Sequence, residues 1–207
     1  MKQFFEFSIE KLGIEMTIIN LIVSTGIVLI YLRVFRNFKD AKKQKDKKQI
    51  EVKSVVETLS MSAFFLICFF IITLKIGTYD YSNLYLNIFA ISVYILGVII
   101  NLLGRYYLGN NWGNNVIIYR DHTLIKKGVY KIVRHPLYAS IIWILYALSI
   151  LYKNYFVCIL NTTIFIPFMY YRAKQEEKEL AKTFKDYKKY QKTVGMFFPK
   201  VIKIKEK

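Results

Sequence analysis

The sequence predicts an all-α fold: a polytopic membrane helix bundle of about five spans, followed by a cytoplasmic amphipathic helix near the C-terminus. Three observations predict it. Hydrophobic residues make up 55% of the 207 residues and aromatics 17%, with a mean hydropathy of +0.29, yet the formal net charge is +17. The charged and apolar residues are sorted into blocks instead of mixed, as partition between bilayer and water demands. The basic residues also fall in alternate connections between the apolar blocks.

Five apolar runs appear in order, at residues 14–31, 55–74, 84–103, 137–151 and 155–171. A spanning helix needs about 20 apolar residues. The first three runs meet that length. The fourth and fifth are shorter and separated by Tyr152-Lys153-Asn154 alone, so they read as a tight helical hairpin, tilted or not fully traversing. Residues 32–53 hold nine Lys and Arg, residues 105–135 six and residues 172–207 twelve, which is 27 of the 31. With five spans, the positive-inside bias puts these three segments in the cytoplasm and the N-terminus outside. The expected location is the cell membrane. The first apolar run has no basic region before it and no small-residue cleavage site after it, and so reads as an uncleaved anchor. Cys68 and Cys158 both lie inside expected spans and are expected to be buried as small hydrophobes, not as a disulfide or a zinc site.

One integral membrane domain over residues 1–207 is therefore expected. Residues 1–103 supply three spans and the basic loop 32–53. Residues 104–207 supply the hairpin 136–172 and the cytoplasmic helix 173–192. The loop either attracts anionic lipid headgroups, at about 1 kcal/mol per basic residue, or only fixes orientation; the two readings are compatible. Tyr106, Tyr107, Trp112 and Arg105 suit the headgroup zone, and Asn110, Asn111 and Gly113 break the helix before them. Val116–Tyr119 is the one plausible β stretch, with too little around it to build a sheet. Beyond residue 172, Leu180, Phe184 and Tyr187 recur at helical spacing without Gly or Pro, until Gly195 and Pro199.

Chemistry concentrates at the hairpin. The chain has two histidines, His122 and His135, and three prolines. His135 precedes Pro136, which biases it to extended backbone while Pro136 fits a first helical turn. That holds His135 at a helix N-terminus, where unpaired N–H groups favour anionic ligand groups. Tyr138 lies one turn on. Arg134 alone reads as a snorkelling residue, and Glu176 and Glu177 alone as partial neutralisation of neighbouring lysines. Arg172 and Glu176, four apart, share a helix face. If the fourth and fifth runs pair as a hairpin, their cytoplasmic ends meet and bring His135 to Arg172 and Glu176.

The pattern Gly128-x-Tyr130-x-x-Val133-Arg134-His135-Pro136-x-Tyr138, then Glu176-Glu177-x-x-Leu180-x-x-x-Phe184-x-x-Tyr187-x-x-Tyr190, ending at Phe198-Pro199, resembles the isoprenylcysteine carboxyl methyltransferase family. The related phospholipid methyltransferases share it. Two positions depart: Val129 stands where the family usually has proline, and the glycine often following the second tyrosine is replaced. The resemblance implies S-adenosylmethionine-dependent methyl transfer at the cytoplasmic membrane face, to a lipidic acceptor entering from the bilayer. It implies a cofactor site of Tyr130, Arg134, His135, Pro136, Tyr138, Glu177, Tyr187 and Tyr190. Glu176, also on that helix, and Arg172 are the candidate catalytic residues, with Arg172 toward the acceptor's polar head.

In-line methyl transfer needs positioning more than a strong acid or base. A carboxylate acceptor is already ionised at pH 7, so an arginine that orients it suffices. An amine or thiol needs deprotonation, for which Glu176 or His135 would serve. No metal is required, and no nucleic-acid partner is expected, because the positive-inside pattern already accounts for the charge. The alternatives are N-methylation of a phospholipid headgroup or small amine, and a non-enzymatic lipid-binding or scaffold protein. A transporter is disfavoured by the scarcity of ionisable residues within the runs.

Overall fold

A computed structural model describes the backbone of residues 2–43, 48–52, 55–80, 83–111, 116–119 and 123–200, with side chains for most of them. The apolar runs fold as helices. They are α1 (Lys2–Lys43), α2 (Val55–Thr73), α3 (Leu84–Leu108), α4 (Pro136–Leu151), and a rod built from α5 (Tyr155–Leu160), a π turn (Asn161–Phe165) and α6 (Ile166–Thr183). A last helix, α7, covers Tyr187–Thr193. The fold is the helical bundle the apolar runs predict. Three helical segments are long and apolar enough to cross a membrane: Gly13–Asp40, Leu84–Leu108 and Tyr155–Thr183. Leu59–Thr73 and Pro136–Leu151 are apolar but shorter.

The second arm of the hairpin is thus longer than its apolar run suggests. The π turn explains how the rod tolerates Pro167, which has no N–H to give to the ladder. Asn161, in that turn, donates from Nδ2 to the Ile142 carbonyl 3.1 Å away on α4. At the hairpin tip Asn154 caps α5 by accepting from the Val157 N–H at 3.1 Å, and its Nδ2 donates to the Ile76 carbonyl at 2.9 Å. Of the two cysteines, Cys68 is buried, whereas Cys158 is only half-buried.

Two expectations fail. The helix expected over 173–192 is interrupted, because Phe184 is extended (φ −113°, ψ 111°) and residues 184–186 turn before α7 begins. The break folds Tyr187, Tyr190 and Val194 back onto Leu124, Leu180 and Phe184, an apolar cluster that a straight helix would leave in water. The second concerns Val116–Tyr119. This strand (β2) does find a partner, pairing antiparallel with β1 (Lys48–Val52), drawn from the charged loop. Trp112, Gly113 and His122 lie outside the described residues, as do residues 44–47 and 53–54 of the basic loop.

The connections sort by charge as the sequence predicts. The β1–β2 ladder joins the first basic connection to the second, and a bridge between Val133 and Gly195 joins the second to the third. All three basic segments therefore share one end of the bundle. The connections with few charges share the other, where Thr78 bridges Asn154 and the Tyr152 hydroxyl donates to Asn20 Oδ1 at 2.8 Å.

Two cores hold the bundle. Ile19 and Val23 of α1 pack with Tyr94 and Val98 of α3 and with Ile144 and Leu151 of α4. Phe64 and Cys68 of α2 pack with Ile142, Val157, Phe165 and Met169 of the hairpin. Between membrane helices apolar burial gives little drive, so packing and interhelical hydrogen bonds matter more. One such bond is the Tyr94 hydroxyl donating to the Val23 carbonyl at 2.7 Å; another is Asn101 Nδ2 donating to Ser140 Oγ at 2.9 Å.

Candidate active site

The residues of the sequence signature meet at the basic end, where the loop before α4, the end of α6, and α7 with its following segment converge. Gly128 opens the loop with φ +59°, a conformation that favours glycine, and a Cβ there would overlap the Tyr107 ring. The turn it starts buries Tyr130, whose carbonyl accepts from the Tyr190 hydroxyl. The backbone of the Arg-His pair is then fixed by the C-terminal segment. The Arg134 N–H donates to the Gly195 carbonyl at 2.8 Å and the His135 N–H to the Met196 carbonyl at 3.1 Å. Gly195 is required there, because a Cβ would run into the Phe198 carbonyl.

His135 caps α4 with a non-helical backbone (φ −120°, ψ 64°) and Pro136 is the first helical residue, the arrangement that the dipeptide predicts. The His135 ring is buried and stacks on Tyr138, with centroids 5.4 Å apart and planes within 4°. Phe197 meets it edge-on at 6.2 Å.

Adjacent residues on α6 divide the electrostatic work. Glu177 is 3% exposed and takes three partners: Arg134 Nε donates to its Oε1 at 2.7 Å, His135 Nε2 lies 3.2 Å from the same oxygen, and Gln191 Nε2 donates to Oε2 at 2.9 Å. Arg134 also donates from Nη1 to the carbonyls of Gln191 and Val194. Glu176 keeps 34% of its side chain exposed, accepts from the Tyr138 hydroxyl at 3.1 Å and lies 3.6 Å from His135 Nδ1.

Both imidazole nitrogens thus face carboxylate oxygens, which calls for an N–H on each. Burial pushes the His135 pKa down, but hydrogen bonds and charge from Glu176 and Glu177 outweigh it and hold the value above that of ordinary histidine. The ring is an imidazolium bridging two carboxylates. Tyr187 and Tyr190 are buried below, edge to face at 5.9 Å. Burial pushes the Tyr190 hydroxyl up to about 12 and Tyr187 further, so both stay neutral.

The structure therefore separates the expected site residues into two layers. Tyr138 and His135 flank the Glu176 carboxylate, which remains partly open, with Pro136 starting the helix beside them. Glu177, Arg134, Tyr130, Tyr187 and Tyr190 form a buried support behind them. Arg172 is also buried; its charge acts on Tyr138 and Glu176, and its Nη1 lies 3.4 Å from Met61 Sδ on α2. Gln191, Phe197 and the Gly195–Met196 carbonyls escape a reading of the sequence, although the glycine of a Gly-x-x-Phe-Pro run marks the turn that delivers them. Among the described residues no group of three His, Cys, Asp or Glu side chains is arranged to hold a metal ion.

Known proteins resemble the chain over this same region. Residues 89–182 match the model of the isoprenylcysteine carboxyl methyltransferase (ICMT) family. A protein-S-isoprenylcysteine O-methyltransferase of Saccharomyces cerevisiae is 27% identical over 129 residues, covering 61% of this chain and 54% of that protein. The chain thus spans about half the length of this curated relative. The solved structure of the eukaryotic intramembrane Ras methyltransferase ICMT superposes with a TM-score of 0.57 at 23% identity, covering 87% of this chain and 67% of that one. The chain resembles this family in its motif and its matched segment, and shares the fold of the solved structure.

Proposed function

We propose that this protein is a membrane methyltransferase that uses S-adenosylmethionine to methylate a lipidic acceptor, an isoprenylcysteine-type carboxylate, at the cytoplasmic face of the cell membrane. The observation that carries the reading is the constellation of His135, Tyr138 and Glu176 at the mouth of the α4–α6 hairpin, on a chain whose signature segment matches a methyltransferase family. The three basic segments gathered at that end support a cytoplasmic orientation for it.

The residues fit the chemistry of the cofactor. Its amino-acid moiety carries a carboxylate and an ammonium. The first-turn N–H groups of α4 suit the carboxylate, and the partly open Glu176 suits the ammonium or a sugar hydroxyl. Tyr138 and Phe197 offer aromatic surface to a purine or a sulfonium. When bound, S-adenosylmethionine supplies an electrophilic methyl group on a positively charged sulfur. Every other task falls to the chain. Glu177 keeps His135 charged and holds both Arg134 and His135 in place, so that Glu176 and Tyr138 are positioned by groups that do not move. Arg172, between α2 and the site, orients the acceptor's carboxylate, which reacts in its ionised form and needs no proton removed.

Calorimetric titration of S-adenosylmethionine into the detergent-purified protein, with His135→Ala alongside, tests the reading. Saturable binding is expected, weakened at least tenfold in the variant, as loss of charge-assisted hydrogen bonds entails. Methyl transfer is expected to a prenylcysteine analogue and not to an ethanolamine phospholipid. A folded wild type that binds no cofactor would overturn the enzymatic reading, and transfer to the amine lipid would overturn the acceptor.

A further inference from the structure

The helix that seats α4, and with it the mouth of the candidate site, is α3. Gly97, Asn101 and Gly104 are spaced by four and three residues, so they share one face of α3. A Cβ on Gly97 would lie 2.7 Å from Ile144 Cγ1, and one on Gly104 would lie 2.8 Å from Leu137 Cδ2. Both glycines therefore let the two helices approach closely, as small residues do between membrane helices. Between them stands Asn101, a polar side chain with no exposed surface.

The neighbours of Asn101 fix the direction of each hydrogen bond it makes. Arg105 Nε donates to Asn101 Oδ1 at 2.9 Å, and a guanidinium has donors only, so the amide oxygen must face it. Asn101 Nδ2 is thereby aimed at Ser140 Oγ, 2.9 Å away on α4. The Ser140 hydroxyl accepts that bond and gives its own proton to the Leu137 carbonyl at 2.8 Å. A line of three bonds thus runs from a cation on α3 to one peptide group in the first turn of α4. Ser140 is as fully buried as Asn101, and without competing water each bond polarises the next.

The start of α4 has little else to fix it. His135 makes no side-chain capping bond, and Pro136 has no N–H. The His135 N–H is spent on the Met196 carbonyl and the Ala139 N–H on the His135 carbonyl, which leaves Leu137 and Tyr138 as the first-turn donors. The Tyr138 N–H belongs to the same peptide group as the Leu137 carbonyl, so the bond from Ser140 strengthens it as a donor. From the adjoining Cα the Tyr138 ring stacks on His135, and its hydroxyl reaches Glu176. The charge of Arg105 also acts on Tyr130 and Tyr138. We propose that Asn101 is a positioning residue for the cofactor site: with Arg105 and Ser140 it fixes the Leu137–Tyr138 peptide, and so the N–H and the ring that meet S-adenosylmethionine. The inference rests on the methyl-transfer reading of that site.

Calorimetric titration of S-adenosylmethionine into the detergent-purified full chain tests it, with wild type, Asn101→Leu, Ser140→Ala and the double variant. Each single variant is expected to bind about tenfold more weakly, the effect of one lost bond in a charge-assisted line. The double variant is expected to bind no more weakly than either single one, because both cut the same line. At saturating cofactor, the KM for a prenylcysteine analogue is expected to keep its wild-type value. A merely structural role would lower the fraction of protein that binds and leave the affinity of that fraction unchanged. Ser140→Ala removes a single hydroxyl and carries the test even if Asn101→Leu does not fold. Unchanged affinity in Ser140→Ala, or losses that add in the double variant, overturns this inference alone. A folded wild type that binds no cofactor overturns the methyl-transfer reading and this one with it.

Discussion

Arg134 and Arg33 stand at the same end of the bundle, both largely removed from water, and their surroundings differ in one respect. Arg134 has Glu177 Oε1 2.7 Å from its Nε and two backbone carbonyls at its Nη1, while Arg33 reaches one backbone carbonyl at 3.4 Å and keeps a buried Nε without a partner among the described residues. The first cluster carries its own counter-charges, so it can hold a fixed shape in the absence of a ligand. Beside Arg33 the described residues place no such carboxylate. A buried charge therefore marks a rigid scaffold when its counter-ion is built in.

The comparison breaks most visibly if the built-in counter-ion is removed. Glu177→Ala strands Arg134 and His135 together, and a loss of about 3–5 kcal/mol is expected in chemical unfolding. Glu176→Ala, on a partly exposed carboxylate one residue away, should cost far less while still impairing cofactor binding. Equal losses would erase the distinction between support and site.

Arg172→Ala should raise the KM for the acceptor about tenfold, the effect of one charge-assisted hydrogen bond, and leave cofactor affinity near that of the wild type. A change confined to the cofactor KM would reassign the residue. A pH titration sharpens the electrostatic half of the comparison. His135, facing Glu176 and Glu177 with Arg134 nearby, has a pKa raised on folding, so the folded state binds its proton more tightly than the unfolded state. The stability this adds is fully present below about pH 6.5 and is lost as pH rises through the folded value. Thermal unfolding of the wild type should show that decline, and His135→Gln should flatten it. The smallest effect belongs to Tyr138→Phe, which keeps the ring stack and removes the bond to Glu176; about 0.5–1.5 kcal/mol of cofactor affinity is expected to go.

Much of this was legible in the chain. Segregated charge and five apolar runs predict the bundle, and His135-Pro136 predicts the capped start of α4, because these depend on local chemistry repeated along the sequence. The break at Phe184 was not legible. Leu180, Phe184 and Tyr187 have helical spacing, and only the apolar underside offered by Leu124 makes folding back better than continuing. The β1–β2 ladder escaped for a similar reason, since its strands lie over 60 residues apart and neither looks like a sheet alone.

By itself the sequence determined which residues sit at the membrane boundary, which connections share a side, and that Arg134, His135, Glu176 and Glu177 belong to one region. Tertiary structure alone decided their division of labour. Neighbours on a helix point about 100° apart, so one of Glu176 and Glu177 had to turn inward and the other outward. Which one does so depends on what packs against α6, and α7 with the Gly195 turn supplies that answer. The contrast between Arg134 and Arg33 has the same origin: both are arginines beside apolar runs, and only the folded chain places a carboxylate against one of them.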